Sequence, residues 1–459
     1  MYIFDGILIL TTLVSTIFYM SKDKIDKKYI AYAILFNLLV IVIHSFIGYI
    51  KWQIIPIYVL GFLLVLLGNV KLSKKLLRIL FISFYTFILI ASMALLYVFP
   101  MSDIPNPSGQ YIIGTRDFII EDQDRLELYT EDSLDTREFA FRMWYPTDST
   151  SQQVVSKWIG NLSVSRGLAG SIGLPSFILD QISQINSNSY VNAPLSLQED
   201  SYPVVIISHG WGGFMSLHTD LAEELSSRGY VVVSIDHTYG SVATNLGDRI
   251  AIQNQDALPD RSEANFLSAA NQLVYTYAGD ISKTLDYLES ENDITSDAFF
   301  KGKLDLDHIG LIGHSTGGGA DVAVALNDDR ITALLGLDAW VEPISSEEIE
   351  KGLSIPAIFL RSETWEEGLN NANLYDLILN SDQAELYQID GTTHSDFSMA
   401  YMFSPLMSMI GYTGSLNSDY LLQMQKDVMN VFFDQHLKGI IDQNIDLSLY
   451  EELKNIELS

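Results

Sequence analysis

Four long apolar runs precede residue 100, at roughly 2–20, 29–50, 54–70 and 79–99. Each is close to the ~20 residues a helix needs to cross a bilayer core, so the pattern predicts four transmembrane helices. Stretches such as GFLLVLLGNV and FISFYTFILIASMALLYVF carry no polar face that a water-soluble bundle would need. Residues 1–5 lack a basic n-region, and no small-residue cleavage site precedes SKDKIDKK, so the first run reads as a span and not as a cleaved leader. After PMSDIPNPSGQ (100–110), a linker by its Pro, Gly, Asn and Ser content, the period changes. Residues 111–120 and 137–146 alternate apolar and polar positions across a turn-rich stretch, which predicts two antiparallel strands. Residues 153–197 show no clear period and read as a candidate cap or insertion.

From residue 202 onward, near-continuous Val/Ile/Leu strands alternate with helical stretches. The strands are expected at 202–210, 230–237, 308–315, 333–340, 356–363 and 384–390. Helices are expected near 217–228, 264–291, 316–327, 368–380 and 417–438. This order predicts a mostly parallel sheet with both faces covered by helices. The expected organisation is thus a membrane segment over 1–99, a linker over 100–110 and an α/β unit over 111–459.

Charge divides along the same boundary. The chain of 459 residues has 27 Lys and Arg against 57 Asp and Glu, yet its mean hydropathy is +0.18. Residues 1–99 hold nine basic and three acidic side chains, leaving 18 basic and 54 acidic residues, a net of −36, for the rest. So acidic a surface argues against a nucleic-acid partner. The basic residues concentrate in two short loops, 21–28 and 71–78, while the loop around Lys51 holds one. The Lys/Arg bias of short loops therefore places those two inside, and both the N-terminus and everything after residue 99 on the extracytoplasmic face of a cell membrane. The composition fits an exported bacterial protein. With no cysteine in the chain, disulfides, thiolate metal sites and a cysteine nucleophile are all excluded.

Gly313-His314-Ser315-Thr316-Gly317 has the G-x-S-x-G pattern, at the point where an expected strand gives way to an expected helix. A nucleophilic serine occupies a strained turn of this kind, flanked by glycines because side chains would clash. A base is then required, and the chain has eight histidines. His44 lies in the second apolar run, His209 in the SHGWGG loop, His218 at a helix start, His237 at a strand end and His308 at the start of the serine's strand. His314 is expected to point away from the nucleophile, and His436 lies in the last helix. His394 remains, in a loop after the last strand, matching the order in which the serine precedes the histidine in this architecture.

The acid should lie between them at a strand end. Asp338 in LGLDAW is preferred and Glu363 in FLRSE is the competitor, with Asp390 and Asp396 expected to cap or solvate the histidine loop. An oxyanion hole needs two main-chain N–H groups, here expected from Thr316 and from Trp211 in the SHGWGGF loop, with His209 bracing that loop.

Together SHGWGGF, GHSTGGG, LDAW, GTTHSDF, the GQYIIGT stretch (109–115) and RMWYP resemble the platelet-activating factor acetylhydrolase family of α/β-hydrolases, over about residues 108–438. The resemblance implies Ser315 as nucleophile, Asp338 as acid, His394 as base and the Trp211 and Thr316 amides as oxyanion hole. It also implies hydrolysis of short or oxidised acyl chains from phospholipids, without a metal or other cofactor. The expected activity is that of a membrane-anchored serine ester hydrolase with a small-molecule or lipid ester as substrate. The alternatives are an acyltransferase or peptidase acting on envelope components with the same triad, and a catalytically silent receptor.

Overall fold

The computed structural model describes residues 2–458 apart from 22, 48–49, 68–74, 151–152, 296–297 and 442–444. The first four helices are α1 (Tyr2–Met20), α2 (Lys27–Ile47), α3 (Ile55–Leu67) and α4 (Lys75–Val98). Three of them, α1, α2 and α4, are long and apolar enough to cross a membrane. The third expected span, 54–70, differs: α3 has 13 residues, and residues 68–70 lie outside those described. At 1.5 Å per residue it reaches about 20 Å, short of the ~30 Å hydrocarbon core. Four spanning helices are thus reduced to three by the described residues. Of the basic loop 71–78, residues 71–74 also lie outside them.

These helices pack around Leu8, Ile41, Ile57, Leu60, Leu64 and Tyr85, while Leu35, Phe36, Phe84, Phe87 and Ile90 face outward. Outward-facing apolar side chains of this density suit a lipid surface and not water. The inside of the bundle carries polar contacts that the hydropathy pattern conceals. Asp5 accepts from Lys51 Nζ at 2.6 Å and contacts His44 Nε2 at 3.0 Å, and His44 Nδ1 lies 2.7 Å from the Tyr58 hydroxyl. His44 is therefore a packed, hydrogen-bonded residue. Gln53 Nε2 donates to Phe99 O, so Asp5, the start of α3 and the end of α4 share one end of the bundle.

Beyond residue 110 the strands are β1 (Ile112–Leu126), β2 (Thr136–Thr147), β3 (Val155–Lys157), β4 (Asn186–Val191), β5 (Tyr202–Ser208), β6 (Val231–Asp236), β7 (Ala243–Asn245), β8 (Ile250–Ile252), β9 (Leu304–His314), β10 (Ile331–Leu337), β11 (Ala357–Ser362), β12 (Ala384–Ile389) and β13 (Leu453–Asn455). Eleven of them form one sheet in the order β13-β12-β11-β10-β9-β5-β6-β2-β1-β4-β3, and β7 pairs with β8 apart from it. The central run from β6 through β5, β9, β10 and β11 to β12 is parallel throughout, and β1 and β2 are antiparallel, as their alternation predicts.

The helices α5 (Leu162–Ser171), α6 (Thr219–Ser227), α7 (Phe266–Asn292), α8 (Thr316–Ala325), α9 (Ser346–Ile349), α10 (Asn370–Asn380) and α11 (Ser418–Lys438) fill the connections. Two cores result, one on each sheet face. Leu273, Val274, Tyr277 and Ile281 of α7 pack against Val204, Ile206, Val233 and Leu311 on one side. On the other, Leu221 and Leu225 of α6 and Met424, Val428 and Phe432 of α11 meet Val205, Ile207 and Leu335. Burial on both faces is what makes these strands continuous apolar runs.

The region 153–197 is ordered into β3, α5, a 3-10 segment Ser176–Gln184 and β4. Its strands escape sequence reading because they are short and polar: β4 (NSNSYV) pairs with β1 only over Ile113–Thr115. The 3-10 segment meets the helical bundle. Trp52 Nε1 donates to Ile178 O at 3.1 Å, and the Trp52 ring lies edge-on to Phe177 at 5.5 Å.

Candidate active site

The parallel strands β9, β10 and β11 all end at the same sheet edge, and the segments that follow them meet there. Ser315 sits between β9 and α8 with φ +54° and ψ −119°. A non-glycine residue holds such a backbone only when its surroundings fix it, at a cost of order 1–3 kcal/mol. Here the Ser315 N–H donates to Leu337 O at 3.0 Å, and its carbonyl accepts from Trp340 N at 2.8 Å and Gly319 N at 3.1 Å. Gly317 is required by the same turn, since a Cβ there would stand 2.2 Å from Ser208 O.

Asp338 follows β10 and is a second positive-φ residue, at +44°. Its N–H donates to Leu360 O at 2.8 Å, turning the side chain toward the loop after β12. There Oδ2 lies 2.9 Å from His394 Nδ1. The carboxylate is wholly buried, whereas the imidazole is 32% exposed, so the pair is anchored inside and opens to solvent on the histidine side. Nδ1–H donating to Asp338 leaves Nε2 as the basic nitrogen of the ring. His394 thus has the tautomer a general base needs.

Glu363 is turned elsewhere. Its Oε2 accepts from Gly391 N at 2.5 Å, tying the histidine loop to the end of β11. Asp396 forms a capping box with Thr393 and accepts from Gly414 N, and Asp390 accepts from Gln388 Nε2 at 3.1 Å. These carboxylates shape the loop without reaching the His394 ring nitrogens among the described contacts.

The SHGWGGF loop lies against the serine. A Cβ on Gly210 would stand 2.8 Å from Ser315 Cβ, so only glycine permits this approach. No acceptor among the described residues takes the Trp211 N–H, while Thr316 opens α8, where the first N–H groups lack intrahelical partners. The Trp211 indole is half-buried against the α7 side of the core. His209 is fully buried, its Nδ1 donating to Gly210 O at 2.7 Å and its Nε2 2.8 Å from Ser241 Oγ. Burial holds its pKa well below the ordinary imidazole range, so it stays neutral and braces the loop.

His218 is likewise buried, its pKa pushed down to about 4 by desolvation. His237 is stacked on Tyr277 and bonded to Asp280, His308 pairs with Asp305 at the surface, and His436 packs on Phe432. His314, expected to point away from the nucleophile, directs its side chain at the histidine loop, its Nε2 donating to His394 O at 3.1 Å and its ring 4.6 Å from the His394 ring.

Sequence reasoning missed Ser362 and Trp365. Ser362 donates its N–H to Asp338 Oδ1 at 2.7 Å and its hydroxyl to Oδ2 at 2.6 Å. Trp365 stacks on His394 with ring centroids 4.4 Å apart and planes 3° from parallel. The only sequence signal for either was position at the end of the strand after the acid. Among the described residues no group of three or more His, Asp or Glu side chains is arranged to hold a metal ion.

Comparison with known proteins gives a consistent picture. Residues 96–448 match the family model of platelet-activating factor acetylhydrolase, isoform II. The chain is 23% identical to the platelet-activating factor acetylhydrolase of Cavia porcellus over 384 residues, covering 78% of this chain and 83% of that protein. It is 24% identical to the enzyme of the same name from Canis lupus familiaris over 368 residues, covering 73% and 78%. In structure it resembles a ferulic acid esterase from Streptomyces cinnamoneus with a TM-score of 0.63 at 21% identity, over 78% of this chain and all of that one. That likeness establishes an α/β-hydrolase fold with a mostly parallel central sheet. The family match leaves the first 95 residues uncovered.

Proposed function

We propose that this chain, which belongs to the platelet-activating factor acetylhydrolase, isoform II family, is a membrane-anchored serine hydrolase of short-chain or lipid-type carboxylic esters. The observation that carries the reading is the 2.9 Å contact between His394 Nδ1 and buried Asp338, beside a serine held in a strand-to-helix turn of positive φ. In the proposed cycle, Ser315 Oγ attacks the acyl carbonyl while His394 Nε2 takes its proton. Asp338 holds the ring and stabilises the imidazolium. The oxyanion forms against the N–H groups of Trp211 and Thr316. His394 then returns the proton to the departing alcohol. Water, deprotonated by His394, attacks the acyl-enzyme, releasing the carboxylic acid and restoring Ser315.

The proposed organisation is a membrane segment (1–99), a linker (100–110) and a hydrolase unit (111–459), with 153–197 as a cap. Arg78 beside Met20 and Asp23 at one end of the bundle, Asp5 and the end of α4 at the other, and a net charge of −36 after residue 99 support an extracytoplasmic hydrolase unit. A site held beside the bilayer meets lipid esters readily, while so acidic a surface disfavours strongly anionic membranes, which points to neutral or zwitterionic substrates.

The test is hydrolysis of p-nitrophenyl esters from acetate to palmitate by the full chain in detergent. The reading expects turnover of the short members with release of free acid. Absence of hydrolysis across the series, in protein shown to be folded, would overturn it.

A further inference from the structure

Three residues at the end of β11 and just beyond it, Ser362, Glu363 and Trp365, touch Asp338, the histidine loop and His394. Ser362 grips the Asp338 carboxylate through both its N–H and its hydroxyl. Glu363 accepts from Gly391 N at the root of the histidine loop, and its own N–H donates to Thr392 Oγ1 at 3.4 Å. Trp365 then lays its indole flat on the His394 imidazole. The turn is pinned in its own right, because Asn371 Nδ2 donates to Trp365 O at 3.0 Å and to Glu366 O at 2.7 Å.

The hydrogen bond to Asp338 fixes one atom of the imidazole, Nδ1, and leaves the ring able to swing about that contact. The His394 side chain is also one-third exposed, so dense packing does not immobilise it. A flat surface laid on the ring restricts that freedom, and Trp365 supplies it, at 4.4 Å and 3°. The His314 ring packs against the imidazole as well, at 4.6 Å and 33°, and is itself held by its bond to His394 O.

We infer that Trp365 is a positioning residue of this site, whose indole, stacked on the His394 imidazole, limits the swing of the ring about its Asp338 contact and so fixes the direction in which Nε2 is presented. The inference rests on the proposed roles of Ser315 and His394. The indole face also favours the imidazolium that forms when His394 takes the serine proton, since a cation over an aromatic face is attracted by the ring quadrupole. Packing alone does not account for the geometry: a side chain that merely fills space has no need to lie within a few degrees of parallel to the ring it covers.

The test is steady-state hydrolysis of p-nitrophenyl acetate by the full chain in detergent micelles, comparing wild type with Trp365→Phe, Trp365→Leu, Ser315→Ala and His394→Ala. An aromatic pair of this kind corresponds to a rate factor of up to about ten. Trp365→Leu is therefore expected to lower kcat about five- to tenfold with KM within twofold of wild type. Trp365→Phe, which keeps a flat face, recovers most of kcat. Trp365→Met, flexible and of similar reach, replaces the leucine variant if that one does not fold, and is read the same way. Unchanged kcat in the leucine or methionine variant overturns the inference, as does a loss that falls on KM, which would make Trp365 a wall of the substrate pocket, or a phenylalanine variant no better than leucine. Hydrolysis that survives Ser315→Ala and His394→Ala would instead overturn the reading on which the inference rests.

Discussion

Ser362 donates two hydrogen bonds to Asp338, from its main-chain N–H at 2.7 Å and from its hydroxyl at 2.6 Å, so the acid is fixed by its neighbour on the next strand before it meets His394. The hydroxyl bond goes to Oδ2, the same oxygen that faces His394 Nδ1. A charged acceptor makes such a bond worth about 1.5–3 kcal/mol. Ser362→Ala is predicted to lower kcat for p-nitrophenyl acetate about tenfold with little change in KM. Full activity in that variant would show that the main-chain N–H alone orients the carboxylate.

Asp338 and Glu363 end adjacent strands, and only Asp338 contacts the imidazole. Asp338→Asn removes the acceptor that sets the tautomer and is predicted to cost about ten-thousand-fold in kcat, the scale seen when a triad acid is amidated elsewhere. Glu363→Gln keeps an acceptor for Gly391 N, weakens only a loop contact and is predicted to stay within about tenfold of wild type. Equal losses in the two variants would contradict this assignment.

Gly210 lies so close to the serine that a Cβ there would stand 2.8 Å from Ser315 Cβ. Gly210→Ala must therefore push either the loop or the serine aside. Misplacement of reacting groups by about 1 Å costs on the order of a hundredfold, and kcat is predicted to fall by at least about that much. Circular dichroism on the same sample checks that the fold survives.

Asp236, at the end of β6, accepts from Met215 N and Ser241 Oγ beneath the SHGWGGF loop. Burial raises its pKa to about 7, against an attraction from Arg142 and with repulsion from Asp117. Its folded pKa exceeds the unfolded value, so the native state holds more protons between about pH 4 and 7 and this group's stabilising contribution is lost as pH rises through that window. Asp236→Asn keeps the Oδ1 acceptor and removes the titration. The difference in unfolding free energy, variant minus wild type, is predicted to shift in favour of the variant from pH 5 to pH 8. A difference that does not vary with pH would contradict it.

Lys51 and Asp5 form an ion pair at 2.6 Å with side chains 1% and 4% exposed. Removing one partner of a buried pair costs about 3–5 kcal/mol when the other is left uncompensated, and His44, 3.0 Å from Asp5, offsets part of that. Lys51→Met is predicted to lower the thermal unfolding midpoint of the full chain in detergent, and the double variant Asp5→Asn, Lys51→Met to recover much of the loss. A single variant as stable as wild type would refute this.

How far the sequence was legible follows from where each signal came from. The parallel strands were readable because β5, β6, the second half of β9 and β10 are buried on both faces and are therefore rich in Val, Ile and Leu. Strand β4 was not readable, since polar NSNSYV gains its partners from β1 and β3 and not from its own pattern. Ser315 stood out because its turn demands glycines locally. Ser362 and Trp365 did not, because their relation to Asp338 and His394 is made by adjacency of strands, which no local pattern encodes. The Asp5–Lys51 pair was hidden for a similar reason: both sit at ends of apolar runs, where a charge ordinarily faces water.

The central claim is that Ser315 is the nucleophile of an ester hydrolase, and covalent labelling tests it most directly. Full-length protein treated with a fluorophosphonate, digested and mapped by mass spectrometry, is predicted to carry one adduct per chain, on Ser315. Ser315→Ala should lose the adduct and ester hydrolysis together. An adduct on another serine, or wild-type hydrolysis in the Ser315→Ala variant, would contradict the account.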